Sequence, residues 1–323
     1  MIGCSRNQLE RADMNQEAQG IGCALAGAVL WGCSGSFSQF LFSAYGFSGL
    51  GLTAVRMTTS GLLFLAVIIA LRRHVLSDIW HDAPARRQVA LFGGAGLFLN
   101  QLTYLMTIAY TNAGTATVMQ SFSIPLIMVV VCLMRHRRPA PREIIALACA
   151  VASIFLISTG GNPAVLALPL TGFAWGMANA GATAFYNMYP RALFARYGSF
   201  TVTGLGMCVG GAASLLAWSA MGLTFSATNG AMGAPIALPS LDGPGIAALA
   251  GVIVLGTCFA FWLYLRGIAL VGSMKASMLG AAEPVAATVL SAIWLGTTFS
   301  ATDWIGLALM VGTILISSMP RKA

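Results

Sequence analysis

Two stretches decide the fold: YLMTIAYTNAGTATVMQSFSIP at residues 104–125 and YLRGIALVGSMKASMLGAAEP at residues 264–284. In the first, Tyr104-Leu105 is followed three residues later by Ile108-Ala109; in the second, Tyr264-Leu265 is followed by Ile268-Ala269 at the same spacing. Each stretch then passes a short polar break and enters a segment with a central proline, Pro125 or Pro284. The offset is 160 residues for the tyrosines and 159 for the prolines, a one-residue indel. LIS at 156–158 matches LIS at 315–317, and Trp31-Gly32 matches Trp175-Gly176. Self-similarity at a fixed period marks a chain built from related units, here two halves.

The halves belong to a membrane. Hydrophobic residues make up 58% of the 323 and charged residues only 8%, against about 25% charged in soluble domains. The 37 glycines suit helices that approach closely in lipid, and Gly206 and Gly210 have small-xxx-small spacing. With a ruler of about 20 apolar residues per span, helices are predicted at 20–42, 50–71, 89–109, 114–134, 143–160, 167–190, 199–221, 244–266, 274–294 and 302–319. A short gap falls near Asn112, and the Gly/Pro-rich stretch after Gly222 has room for an interfacial piece. The polar, acid-containing segment before helix 1 lacks the basic start and short apolar core of a cleaved signal.

Orientation follows from the cations. Arg6, Arg11, Arg72, Arg73, Arg86, Arg87, Arg135, Arg137, Arg138, Arg142, Arg191, Arg196, Arg266, Arg321 and Lys322 all fall on one side of the predicted spans, and the opposite loops hold no Lys or Arg. The positive-inside rule then puts both termini in the cytoplasm. The net charge of +8 reads as topology and as a match to anionic headgroups, not as a nucleic-acid surface, since no basic face with stacking aromatics is present. Five helices per half is an odd number, so the halves enter the membrane in opposite senses. The expected fold is an all-α membrane protein of ten transmembrane helices in two inverted five-helix repeats. Such repeats build secondary transporters with a site near the bilayer midplane. Residues 1–19 are expected to form a cytoplasmic tail, 20–160 the first repeat, 161–319 the second, and 320–323 a second cytoplasmic tail.

KASMLGAAEPVAATVLSAIWLG at 275–296 and DWIGLALMVGTILIS at 303–317 resemble the second half of the EamA-type permeases of the drug/metabolite transporter superfamily. LTAVR at 52–56 and the block from Tyr104 to Pro125 resemble the first. The resemblance covers residues 20 to 319 and implies ten helices, cytoplasmic termini and the export or exchange of small metabolites. The chain departs from the family in having Thr297 after Gly296 and Arg135-His136-Arg137-Arg138 after helix 4, where members often carry an acid.

Other chemistries fare worse. Gly32-Cys33-Ser34-Gly35 fits the G-x-S-G of intramembrane serine proteases, but His74, His81 and His136 all sit in basic loops, out of reach of that serine. The seven cysteines form no C-x-x-C and the histidines lack ligand spacing, so no metal site is predicted; most of the cysteines lie inside spans, where a thiol is a small apolar filler, and no disulfide is predicted. G-x-x-x-x-G-K-[ST] is absent and no cofactor is expected.

What remains are costly residues inside the spans. A charge near the bilayer centre costs at least about 2.5–3.5 kcal/mol, and three qualify: Arg56, Lys275 and Glu283. Arg56 is read as a helix brace or snorkelling side chain, with substrate contact as the alternative, and Lys275 as snorkelling or as a substrate contact. Glu283 has no such escape, because it is the tenth residue of its predicted helix and too short to reach either interface. Pro284 loosens the helix beside it and frees the Gly280 carbonyl. One reading makes Glu283 a protonated structural donor; the other makes it a cavity group that binds a substrate amine or carries a coupling proton. Further candidates for a substrate cavity are Asn100, Gln101 and Tyr104 on helix 3, Gln120 with Ser121 on helix 4, Asn179, Tyr186 and Asn187 on helix 6, and Tyr264 on helix 8. Trp31 and Trp175 join them as repeat-matched aromatics, and Arg56, Pro125 and Pro284 as structural or gating residues. Polar side chains also glue transmembrane helices, at roughly 0.6–2 kcal/mol each. The function expected is a secondary transporter in the inner membrane, monomer or homodimer, that exports or exchanges amino acids or similar metabolites by rocking one half against the other, with protons as candidate coupling ion. The alternatives are a membrane-embedded enzyme or a non-transporting scaffold.

Overall fold

The structure, a computed structural model, describes residues 6–136, 138–162, 164, 166–229 and 239–318, with the backbone alone for 6–15, 222–229 and 273–274. Among the described residues the regular structure is all helical. The long helices are α1 (Arg6–Tyr45), α2 (Gly49–Leu71), α4 (Ala83–Tyr110), α5 (Ala113–Met134), α6 (Pro141–Thr159), α7 (Leu170–Met188), α9 (Ser199–Asn229), α10 (Gly243–Gly272), α11 (Lys275–Leu295) and α12 (Ala301–Ser318). Two short helices not anticipated from the sequence, α3 (Arg73–His81) and α8 (Arg191–Tyr197), carry arginine-rich connections. Nine described helices are long and apolar enough to cross a membrane; α7, diluted by Asn179, Thr183 and Asn187, is not among them. The helix expected at 20–42 begins at Arg6, because the polar RNQLERADMNQEA is rich in good helix formers, and its apolar part is Gln16–Tyr45. The expected interfacial piece after Gly222 falls largely outside the described residues.

The repeat is visible in how the helices begin and bend. α4 opens on Asp82-Ala83-Pro84-Ala85 and α10 on Asp242-Gly243-Pro244-Gly245. Each aspartate caps its helix, accepting from Ala85 N–H at 3.1 Å or Gly245 N–H at 3.0 Å, and each proline occupies the first turn, where its missing N–H costs nothing. Both helices then widen into a π segment at matching positions, Phe92–Phe98 and Gly251–Phe259. Beyond them, α5 breaks at Phe122 and α11 at Gly280–Ala281, each about three residues before its proline. The cause is shared: Pro125 and Pro284 offer no N–H to the preceding turn. The Gly280 carbonyl is not left free, as expected from the sequence, but accepts from the Glu283 N–H at 3.0 Å.

Packing interlocks the halves. α1 lies along α10 and α11, while α7, the first helix of the second half, lies along α4 and α5; α2 pairs with α9, and α6 with α12. Exchanging the halves maps this pattern onto itself. At the α2–α9 seam a Cβ on Gly61 would stand 2.9 Å from Cys208 N and one on Gly211 2.9 Å from Thr58 Cα, so only glycine permits this approach. Gly206 and Gly210 face the π segment of α4, a Cβ on Gly210 falling 2.8 Å from the Gly93 carbonyl oxygen.

Candidate functional site

The break in α11 moves Glu283 from mid-helix, where the sequence reading put it, to the first turn of the piece Ala282–Leu295. A carboxyl there sits at the positive end of a half-helix. α1 presses against this turn: a Cβ on Gly32 would lie 2.5 Å from the Glu283 carbonyl oxygen and 2.8 Å from Ala287 N. Glycine at 32 therefore sets how closely Trp31 and Gly35 approach the acid.

Arg56 is 5% exposed, which overturns the snorkelling reading. Its Nε donates to Thr257 Oγ1 at 3.0 Å, and the Thr257 hydroxyl donates to the Val252 carbonyl five residues back at 3.0 Å. A five-residue step is the π-helical register, so the widened turn of α10 supplies the oxygen that orients the guanidinium. Its Nη1 is buried with no hydrogen-bond partner, as is the hydroxyl of Tyr104 from α4. Arg56, Tyr104 and Glu283 lie within electrostatic reach of one another. Tyr104 is seated over Gly35, where a Cβ would meet its hydroxyl at 2.6 Å.

Tyr264 completes the cluster. Its hydroxyl donates to the Ala276 carbonyl at 3.1 Å, beside the break at Gly280, and its ring lies 4.7 Å from that of Trp31. Phe261 meets Trp31 edge-on at 5.1 Å. One acid, one guanidinium, two phenols and an indole thus converge from α1, α2, α4, α10 and α11, with two donor groups unpartnered. Leaving such groups unpaired costs about 1–3 kcal/mol each, so each calls for a partner from a water, an ion or a ligand.

Other residues singled out from the sequence lie elsewhere. Lys275 is exposed and paired with Glu17, so it brings no charge to the cluster. Asn100 and Asn179 join α4 to α7: Asn179 Nδ2 donates to the Asn100 carbonyl at 3.0 Å and to Thr103 Oγ1 at 3.1 Å, and Thr183 donates to Asn100 Oδ1 at 2.6 Å. Among the described residues no hydrogen bond ties Gln101, Gln120 or Trp175 to the cluster; Gln101 is buried and the other two half-buried. Pro125 and Pro284 are both buried at their helix breaks. Gln39 escaped sequence reasoning because a lone glutamine carries no pattern. It binds the Ala113 N–H at 2.8 Å, Thr297 Oγ1 at 2.9 Å and Ser291 Oγ at 3.2 Å, joining α1 to the start of α5 and the end of α11.

The repeat-matched aspartates were legible as D-x-P-x at an offset of 160 residues but were not read. Each bonds a tyrosine of the other half: Tyr197 donates to Asp82 Oδ2 at 2.8 Å, and Tyr45 donates to Asp242. Each tyrosine precedes a glycine of positive φ, Gly46 at 67° and Gly198 at 82°. Arg196 adds an ion pair to Asp82 at 2.7 Å. The Ala85 N–H and Tyr197 hydroxyl, with Arg196 beside them, hold the Asp82 carboxyl below the usual carboxylate range.

The sequence profile of the EamA-like transporter family matches twice, over residues 18–159 and 170–319. The chain belongs to the EamA-like transporter family. Its two matches coincide with the two halves, and the family is one of transporters, not of enzymes. The "Uncharacterized inner membrane transporter YicL" of Salmonella typhimurium is 33% identical over 309 residues, 96% of this chain and 98% of that one. The "Uncharacterized transporter YwfM" of Bacillus subtilis is 37% identical over 70 residues, covering 21% of this chain and 24% of that one. A crystal structure of a protein 21% identical superposes with a TM-score of 0.59, covering 91% of this chain and 95% of that one, and shares the fold.

Proposed function

We propose that this EamA-family protein is an inner-membrane secondary transporter of ten spans, α3 and α8 lying outside the count, with both termini cytoplasmic and residues 20–160 and 161–319 as inverted repeats. It exports or exchanges small zwitterions of the amino-acid type. The observation that carries the reading is the convergence of buried Arg56 and half-buried Glu283 in one cluster, with Arg56 Nη1 and the Tyr104 hydroxyl unpartnered. A guanidinium offers a planar fork to a carboxylate, Glu283 offers a countercharge to an amine, and Trp31 and Tyr264 supply apolar walls. Lys275 drops out of the cation set because Glu17 holds it.

Alternating access rests on the interlocked packing. Since α1 travels with α10 and α11, and α7 with α4 and α5, the rocking bodies cut across the sequence halves instead of following them. The breaks in α5 and α11 let the centre deform while the outer turns hold. A proton carried by Glu283 is the candidate coupling ion, and one copy contains a whole site whether the protein is monomeric or dimeric.

The test is uptake of labelled amino acids, sugars and purines into inverted vesicles holding wild type or Glu283→Gln. Amino-acid accumulation by wild type, abolished in the variant at equal membrane abundance, supports the reading. Accumulation of sugars or purines alone overturns the substrate class.

A further inference from the structure

At the arginine-rich end, a groove of about 560 Å³ runs between α2, α3, α4 and α9. Its depth is apolar, with Leu65 from α2, Ile79 from α3, Val89 from α4 and Leu205 from α9, while Arg73 and Arg86 stand in its lining as the two cations. Three of these helices are long and apolar enough to cross a membrane, which is what places the apolar depth at bilayer level. The fourth, α3, is a nine-residue amphipathic helix attached to α2 through the single non-helical residue Arg72. It buries Ile79 and leaves Trp80 68% exposed. An exposed tryptophan beside arginines at a helix end is the signature of the headgroup level. The Arg86 guanidinium is held in place, donating to the Trp80 carbonyl and lying 5.8 Å from the centre of the Trp80 ring. Arg73 is exposed, and no described carboxylate forms an ion pair with either arginine.

We propose that this groove is a binding site for one anionic phospholipid, its phosphate between Arg73 and Arg86 and an acyl chain laid along Leu65, Leu205 and Val209. The chemistry selects the occupant. Two guanidiniums match a phosphodiester in charge and geometry, and an apolar trough opening to the bilayer matches an acyl chain. A soluble phosphate ester would satisfy the arginines and leave the trough uncovered. A zwitterionic lipid would fill the trough but bring a cationic headgroup against two arginines. The neighbouring cavity of about 1110 Å³ is of mixed polarity and sets the carboxylates Asp78 and Asp82 beside Arg72 and Arg196, so it does not serve an anion in the same way. The proposal concerns α3 and the α2–α9 seam and is independent of the substrate chemistry at Glu283.

The test uses the full-length protein in phosphatidylcholine micelles, titrated with phosphatidylglycerol, further phosphatidylcholine or glycerol 3-phosphate, and read by thermal unfolding and by native mass spectrometry. Phosphatidylglycerol should raise the unfolding temperature saturably with one retained lipid; the other two should not. Arg73→Gln with Arg86→Gln should weaken the apparent affinity by at least about tenfold, as expected for lost charge-assisted hydrogen bonds. Arg135→Gln with Arg191→Gln, exposed arginines outside the groove, should leave it unchanged. Leu205→Trp, which fills the trough and keeps both arginines, should abolish the retained lipid. Equal responses of the two double variants would assign the effect to bulk charge, and a glycerol 3-phosphate response matching that of phosphatidylglycerol would assign the arginines to a soluble phosphate. Either result overturns the proposal, as does an equal response to phosphatidylcholine.

Discussion

Arg56 and Lys275 show how little a single letter says. Both are cations set in apolar sequence, yet Arg56 is buried against Thr257 and Lys275 is exposed against Glu17. The difference makes a prediction. Arg56→Lys keeps the charge but loses the fork and the Nε bond, so transport should fall by at least about tenfold with protein abundance little changed. Lys275→Gln should transport almost normally. Equal losses in both would return Lys275 to the site. At Glu283, replacement by Gln keeps size and hydrogen bonding and removes the titration. If the acid binds an amine or a proton, the variant reaches the membrane in normal amount and loses amino-acid transport, or loses the pH dependence of a surviving exchange. Unchanged transport at every pH would make Glu283 a structural hydrogen-bond donor only.

α4 and α10 are fastened at their starts by Asp82 and Asp242, each held by a tyrosine of the other half. Because its bonds hold the Asp82 carboxyl below the usual range, its contribution to stability is fully present above the unfolded value of about 3.9 and is lost as pH falls through the lower folded value. Unfolding temperatures measured between about pH 3 and 7 should therefore decline in acid for wild type and decline less for Asp82→Asn; identical acid slopes would show that the cap carries no such linkage. At the α2–α9 seam, Gly61→Leu drives a side chain into backbone at Cys208 and should cost about 1–3 kcal/mol, seen as a lower unfolding temperature. A wild-type value would mean that the helices separate freely. Much at this scale was readable. Pro284 predicted a loosened helix, and the structure has breaks beside both it and its repeat mate Pro125, but the π segments Phe92–Phe98 and Gly251–Phe259 were not readable, because a single inserted residue in a hydrogen-bond ladder leaves no mark in hydropathy.

For the whole molecule, the one-sided cations predict that reporters fused after Arg138 and at the C-terminus are cytoplasmic and one inserted after Ser240 is external. A cytoplasmic reporter at Ser240 would break both the orientation and the inverted repeat. The interlocking predicts more. Expressed alone, either half leaves its first helix without the pair it packs on, so each should be degraded singly and recovered when the two are produced together; a stable, folded single half would contradict the exchange of α1 and α7.

The sequence by itself determined the class and the repeat, and it holds the cation pattern from which the orientation is predicted. These depend on properties that add along a chain: the length of apolar runs, the spacing of repeated strings, and the side on which arginines fall. Tertiary structure alone decided that α1 belongs with α10 and α11, that Arg56 is inside while Lys275 is out, and that Asn100 and Asn179 join helices instead of lining the cluster at Glu283. In lipid every one of these helices satisfies its own backbone, so hydropathy does not distinguish one neighbour from another. The choice falls to the fit of small residues, as where Gly32 admits the backbone of Glu283, and to which buried polar group meets a partner, and both exist only once the helices are side by side.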